Sequence, residues 1–245
     1  MRHLRNIYTL LAVVIISIFG YIPSFSQKST TIVDTSNRTT ATVIAGAEYK
    51  KHWLGRKLWG AHYRNIWTMP VNVSKIRLNT IYGCLKTLEK GGGRQKKNLR
   101  LDAANKRQYA IRSINKDYGE ALPEVAQGTF IESIVKDQMS VAHPYAGTVL
   151  GALSAAAGVY STNPKIVFIG DDPTLGQFRE EFKNDLYSLE DRPGEKNAKF
   201  YGATDVLDTE DFLPMLTKSS DHFADPESYI RACLVDRFIG GRDRQ

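Results

Sequence analysis

Little in this sequence lets its chemistry be read directly. The 245 residues include only two cysteines, Cys84 and Cys233, and five histidines. The histidines are scattered without metal spacing, and neither H-E-x-x-H nor C-x-x-C occurs. Two cysteines are too few for a disulfide scaffold. An oxidising compartment would allow one bridge, but spacing cannot say whether they meet. Cys233 lies among apolar residues at helical spacing and reads as a buried free thiol. There is no G-x-G-x-x-G. Beyond the N-terminus no apolar run approaches the ~20 residues of a membrane-crossing helix. The net charge of +7 is mild and spread along the chain, so composition does not call for nucleic acid.

What is present begins with an export signal over residues 1–26. Arg2 and Arg5 form a charged start, Leu10 to Gly20 an apolar core, and Ser24-Phe25-Ser26 sets small residues where a signal peptidase reads. Cleavage before Gln27 removes two cations and no acid, which takes the net charge from +7 to +5. Residues 27–48 are rich in Ser and Thr and read as a flexible leader.

The most informative stretch runs from Lys90 to Lys116. Gly91-Gly92-Gly93-Arg94-Gln95 precedes Leu99-Arg100-Leu101, a period-2 strand pattern. A polar turn follows, and then Tyr109-Ala110-Ile111-Arg112-Ser113. Glycines let backbone N–H groups approach a phosphate without Cβ clashes, and a strand-borne cation neutralises it. In protein kinases the strand after the glycine loop carries Val-Ala-Ile-Lys. Tyr109-Ala110-Ile111-Arg112 sits in the comparable place, with Arg for Lys. An ordinary surface loop and hairpin is the plain alternative.

Elsewhere Trp53, Trp59 and Trp67 interleave with Lys50, Lys51, Arg56, Lys57 and Arg64. Such a mixture suits nucleic acid or a membrane interface. The reading taken is a short helix whose aromatics pack on the domain while the cations stay solvated. Trp67 to Tyr82 reads as extended. Thr129-Phe130-Ile131-Glu132 is a capping box opening a helix. Pro144 starts another, and Lys165 to Ile169 is a short buried strand. Asp171 and Asp172 at a Pro turn read as backbone caps rather than metal ligands. Phe178, Phe182, Leu186 and Leu189 repeat at helical spacing. Thr209 to Leu216 reads as a helix, and so does the segment that Asp225-Pro226-Glu227 opens and Gly240-Gly241 closes.

Several motifs in order carry a resemblance: Gly91-Gly92-Gly93-Arg94-Gln95, Tyr109-Ala110-Ile111-Arg112-Ser113, Asp137-Gln138-Met139-Ser140, His143-Pro144, the run Asp171 to Arg179, and Leu189 to Pro193. Together they resemble the soluble region preceding the barrel in bacterial outer-membrane proteins of the BamA/TamA superfamily. That region is similar to atypical kinase domains of the HipA and secretory-pathway type. The resemblance covers roughly Trp53 to the C-terminus. It implies an α+β, kinase-like small lobe over residues 49–193, a twisted and mostly antiparallel sheet with helices on one side. The start of a helical lobe would follow over residues 194–245.

The resemblance also implies roles. Gly91, Gly92, Gly93, Arg94, Gln95 and Arg112 would hold the phosphates of a nucleotide with Mg. Glu132 or Asp137 would pair with Arg112, and Asp243 would be the general base. Gln245 stands where the family has His, and no later metal-binding acid is present. The chain is therefore expected to be the first part of a longer protein, kinase-like but inactive alone. Its expected place is the periplasm or the outer membrane, with a barrel region or an envelope protein as partner. The alternative is a non-enzymatic envelope module. Sequencing of the mature N-terminus should begin at or near Gln27; an intact Met1 in a cytoplasmic fraction would remove the localisation argument.

Overall fold

Leu99 and Leu101 are fully buried and alternate with half-buried Asn98 and Arg100, so the period-2 pattern does form a strand. In the computed structural model, which describes residues 30–91, 97–116, 122–193, 200–203 and 205–240, this strand belongs to an eight-stranded sheet in an α+β fold. The strands are β1 (Thr31–Asp34), β2 (Thr40–Ile44), β3 (Val71–Ile76), β4 (Leu85–Lys90), β5 (Asn98–Ala103), β6 (Gln108–Ser113), β7 (Lys165–Ile169) and β8 (Asp185–Arg192). Their order is β1-β2-β3-β7-β8-β6-β5-β4. Every neighbouring pair is antiparallel except β3 and β7. The α-helices are α1 (Trp53–Trp59), α2 (Arg64–Trp67), α3 (Phe130–Asp137), α4 (Ala146–Ala156), α5 (Arg179–Phe182), α6 (Thr209–Lys218) and α7 (Pro226–Ile239).

Alternation along β7 and β8 divides the core in two. Val167, Ile169, Tyr187 and Leu189 face a cluster with Leu99, Leu101 and Ile111, closed by Leu78, Leu175 and Phe182 from short helical segments. Phe168 and Leu186 face the opposite side, where Ala41, Val43, Tyr49, Trp67 and Met139 form a second cluster. Apolar packing thus covers parts of both faces of the sheet rather than one. Neither cysteine is bonded, and Cys233 is only half-buried.

Two sequence expectations are corrected here. Residues 27–48 do not read as a flexible leader where they are described. Thr31–Asp34 and Thr40–Ile44 are strands, with Ala41 and Val43 in the core. Threonine is a good strand former, and its solvent-facing positions hid the alternation. The helical spacing of Phe178, Phe182, Leu186 and Leu189 ends at Phe182. Asn184 takes a left-handed φ of 55°, and the next residues form β8. Phe182, Leu186 and Leu189 keep three- and four-residue intervals across this change of element, which spacing alone confuses with a helix.

One buried ion pair ties residues 49–67 to α3. The Arg64 side chain is 2 % exposed and that of Asp137 10 %. Arg64 Nη1 and Nη2 donate to the two Asp137 carboxylate oxygens at 2.8 and 2.6 Å. Its Nε donates to Gly60 O at 2.8 Å and its Nη2 to Trp59 O at 3.2 Å. A nearly buried charge needs such saturation, because desolvation is otherwise uncompensated. Burial pushes the Asp137 carboxyl up, but Arg64 and Lys51 together outweigh this and hold it below its ordinary value. Arg64→Met leaves Asp137 with only the longer Lys51 contact, 3.5 Å from Oδ1, and should cost about 3 kcal/mol of unfolding free energy. Lys136→Ala breaks a half-exposed i,i+4 pair with Glu132 and should cost under about 1 kcal/mol. Urea titration of the two variants checks the contrast.

Candidate functional site

The central hairpin puts a polar row on the face of β5, β6 and β8 opposite the first core cluster. Asn98 lies opposite Arg112 across β5 and β6. Arg112 lies opposite Ser188 across β6 and β8. Laterally opposed residues in a sheet share a face and stand close enough to interact. Gly91 closes the row at the end of β4. Its amide donates to Asn98 O at 2.8 Å, and a Cβ there would lie 2.3 Å from Asn98 Nδ2. Any larger residue at 91 would displace the Asn98 side chain.

Arg112 is the cation of this row. Its Nε lies 3.3 Å from Glu190 Oε2, an ion pair without hydrogen-bond alignment. Ser188 Oγ donates to Glu190 Oε1 at 2.9 Å and fixes the carboxylate. The Arg112 side chain is 40 % exposed, so its outer nitrogens can meet a solute. Two buried polar atoms, Arg112 Nε and Asn98 Oδ1, have no hydrogen-bond partner among the described residues. Such atoms are uncommon, and two in one row mark a place where water or a ligand completes the bonding. An exposed guanidinium beside them can take phosphate or carboxylate oxygens through its fork.

The remaining expected site residues stand elsewhere. Gly92, Gly93, Arg94, Gln95 and Asp243 lie outside the described residues. Glu132 does not pair with Arg112. It accepts from Lys136 Nζ at 2.7 Å and from the Gly128 amide at 2.5 Å, and these contacts hold its carboxyl below the ordinary value. It closes a capping box one residue before the expected amide, with Thr129 Oγ1 accepting from Ile131 N. Asp137 is committed to Arg64. The acid beside Arg112 is Glu190, because β8 and not a helix lies next to β6. Sequence reading missed Glu190, Ser188 and Asn98. The signal was the alternation of Tyr187 and Leu189 with Ser188 and Glu190, masked by the apparent helical spacing.

Asp172 caps the backbone as expected, accepting from Leu78 N and Thr174 N at 2.8 and 2.9 Å. Asp171 forms two hydrogen bonds with Arg179. Among the described residues no group of three or more His, Cys, Asp or Glu could hold a metal. Two clefts, of about 130 and 160 Å³, adjoin Tyr82 and Tyr109 in one case and Lys75 and Gly170 in the other. Both are smaller than the roughly 300–1,000 Å³ of ordinary ligand pockets, and neither includes Arg112. An anion at Arg112 would therefore lie on an open face.

A second acidic group sits beyond the row. Asn115 Nδ2 donates to Glu48 Oε1 at 2.6 Å, and Tyr49 Oη donates to Asn115 Oδ1 at 2.7 Å. Buried Asp185 accepts from Thr30 Oγ1 at 2.5 Å. Burial first, and the nearby Asp185 charge in addition, push the Glu48 carboxyl above its ordinary value despite the hydrogen bonds. No protein-family model matches the chain, and no curated protein or solved structure matches it either.

The Glu48 shift carries a sign. The folded chain holds this proton more tightly than the unfolded chain does. Its contribution to stability is present below the ordinary Glu value and is lost as pH rises through the raised one. Glu48→Gln keeps an acceptor for Asn115 and removes the charge. It should melt above the wild type near pH 7, with the gap closing below about pH 4. Melting curves at the two pH values check this.

Proposed function

We propose that this chain is an exported cell-envelope domain whose β5–β6–β8 face binds a phosphate-bearing ligand, in the manner of a kinase small lobe, without transferring the phosphoryl group. One observation carries the reading: Arg112, paired with Glu190 yet exposed at its tip, stands in a row with Gly91 and the unpartnered Asn98 Oδ1. The resemblance to atypical kinases implies a glycine, a strand cation and a paired acid; the acid beside the cation is Glu190 of β8, where the resemblance implies Glu132 or Asp137. A nucleotide with Mg is the ligand to try first. The open face at Arg112 supports weak binding.

A second reading, a non-enzymatic module that docks on an envelope protein, has its own support. Asp225 accepts from Glu227 N and Ser228 N, and Gly240 closes α7 in a left-handed conformation. The helix is well built, yet Ile230, Leu234 and Phe238 are 57, 65 and 83 % exposed. One apolar stripe at i, i+4 spacing thus faces solvent on a helix that is otherwise complete.

Titration calorimetry with a magnesium nucleotide separates the two readings. The wild type should bind with Kd of about 1 mM, or about −4 kcal/mol. Arg112→Ala should abolish the heat. Arg100→Ala, whose guanidinium pairs with Glu89 instead, should stay within about twofold of wild type. Equal binding by all three proteins, or none by the wild type, would remove the phosphate reading and leave the docking module. Phosphoryl transfer should be undetectable in every case.

A further inference from the structure

Of the three tryptophans expected to pack on the domain, Trp67 is buried and Trp59 half-buried, but Trp53 at the start of the short helix α1 is not. None of its residues is buried. Trp53 is 73 % exposed, Leu58 72 % and Leu54 44 %. At about 100° per residue, Trp53, Lys57, Leu54 and Leu58 form one continuous arc of the helix surface. These four are the exposed ones, while Gly55, Arg56 and Trp59 on the other arc are half-buried. Tyr63 at 44 % and Met69 at 51 %, further along the chain, are exposed as well.

The charge around this arc is of one sign. From Tyr49 to Leu88 the chain has no Asp or Glu and eight Lys or Arg residues. Asp137 takes Arg64 and Lys51. Lys50, Arg56 and Lys57 have no ion-pair partner among the described residues. The arc is also held firmly from below. Arg64 donates to the carbonyls of Trp59 and Gly60, the last residues of the helix and its cap, from a buried position.

We infer that α1 and its flanks form a docking surface for an anionic phospholipid bilayer. Tryptophan and leucine beside lysine and arginine suit the headgroup boundary, where the rings and branched chains enter the acyl edge and the cations meet lipid phosphates. A nucleic acid would use the aromatics for stacking but gains nothing from exposed Leu54 and Leu58. An acidic protein surface would use the cations and leave Trp53 half in water. The bilayer uses every exposed group of the arc. The inference does not depend on ligand binding at the Arg112 row.

Flotation with vesicles tests the inference on the chain as the cell delivers it. The wild type should float with vesicles of phosphatidylcholine containing about one-third phosphatidylglycerol, and much less with phosphatidylcholine alone. Binding should weaken as salt screens the cations. Lys50→Gln with Lys57→Gln should lower partitioning about fivefold per charge. Trp53→Ser with Leu58→Ser should lower it at least as much. All four side chains are exposed, so circular dichroism melts of these variants should match wild type. Phe238→Ser, on the separate apolar stripe of α7, should float as wild type does. Brominated lipid should quench fluorescence in the wild type and lose that quenching in Trp53→Phe. Equal flotation by wild type and the α1 variants would place the affinity elsewhere and overturn the inference. Absence of flotation, equal binding to both vesicle types, or loss of oligonucleotide binding in the same variants would overturn it as well.

Discussion

The nearly buried fork between Arg64 and Asp137 is the constraint on which one side of this fold rests. A guanidinium 2 % exposed is tolerable only because the carboxylate and backbone carbonyls around it accept its hydrogens. Those acceptors come from separate parts of the chain. Tyr49 lies before α1, Trp59 and Gly60 end it, and Asp137 ends α3. A single side chain therefore fixes how three segments meet over the second core cluster. Trp67, one turn further along the chain, adds a hydrogen bond from Nε1 to Ala142 O at 2.8 Å. The apolar and the ionic contacts fix the same arrangement.

Two arginines in this protein show how burial assigns a role. Arg64 has its donors spent on the fold, whereas Arg112 keeps its tip in solvent beside an imperfectly aligned partner. In sequence each is a cation between one large, mainly apolar neighbour and one polar one, Tyr63 and Asn65 for Arg64 and Ile111 and Ser113 for Arg112. Desolvation makes the first a structural element that no solute can reach. The second retains enough hydration to be exchanged for an anion at modest cost. Their acids differ much less, with the Asp137 and Glu190 side chains 10 and 18 % exposed.

The sequence was most legible where one local rule decides the outcome. Alternation at Leu99 and Leu101, the Lys165–Ile169 strand, and the Asp225 cap with its Gly240 stop all appear as expected. Gly91 and Arg112 were named as site residues and do lie in one row, on either side of Asn98. The acid was not legible, because Glu190 meets Arg112 only through the pairing of β6 with β8 some eighty positions later in the chain. Local periodicity carries no information about such pairings. The exposure of α1 was equally hidden. Whether an aromatic faces inward depends on what stands behind the helix, and that comes from Arg64 and α3 rather than from α1 itself.

The strand order has a consequence for how the chain acquires its structure. Strands β1 to β3 form one group and β4 to β6 another, and the two are joined only through β7 and β8. As the chain emerges from its N-terminus, the first 160 or so residues can pair within each group but not across them. The inner edge of each half-sheet, β3 in one and β6 in the other, must wait bare until Lys165–Ile169 and Asp185–Arg192 arrive and insert between them. Loop-closure entropy makes such late, long-range pairing slow, and bare edges invite wrong partners in the interval. The last strand of the sheet is thus its keystone, and holding the early strands apart from one another's neighbours falls to whatever receives the chain before residue 192 is in place.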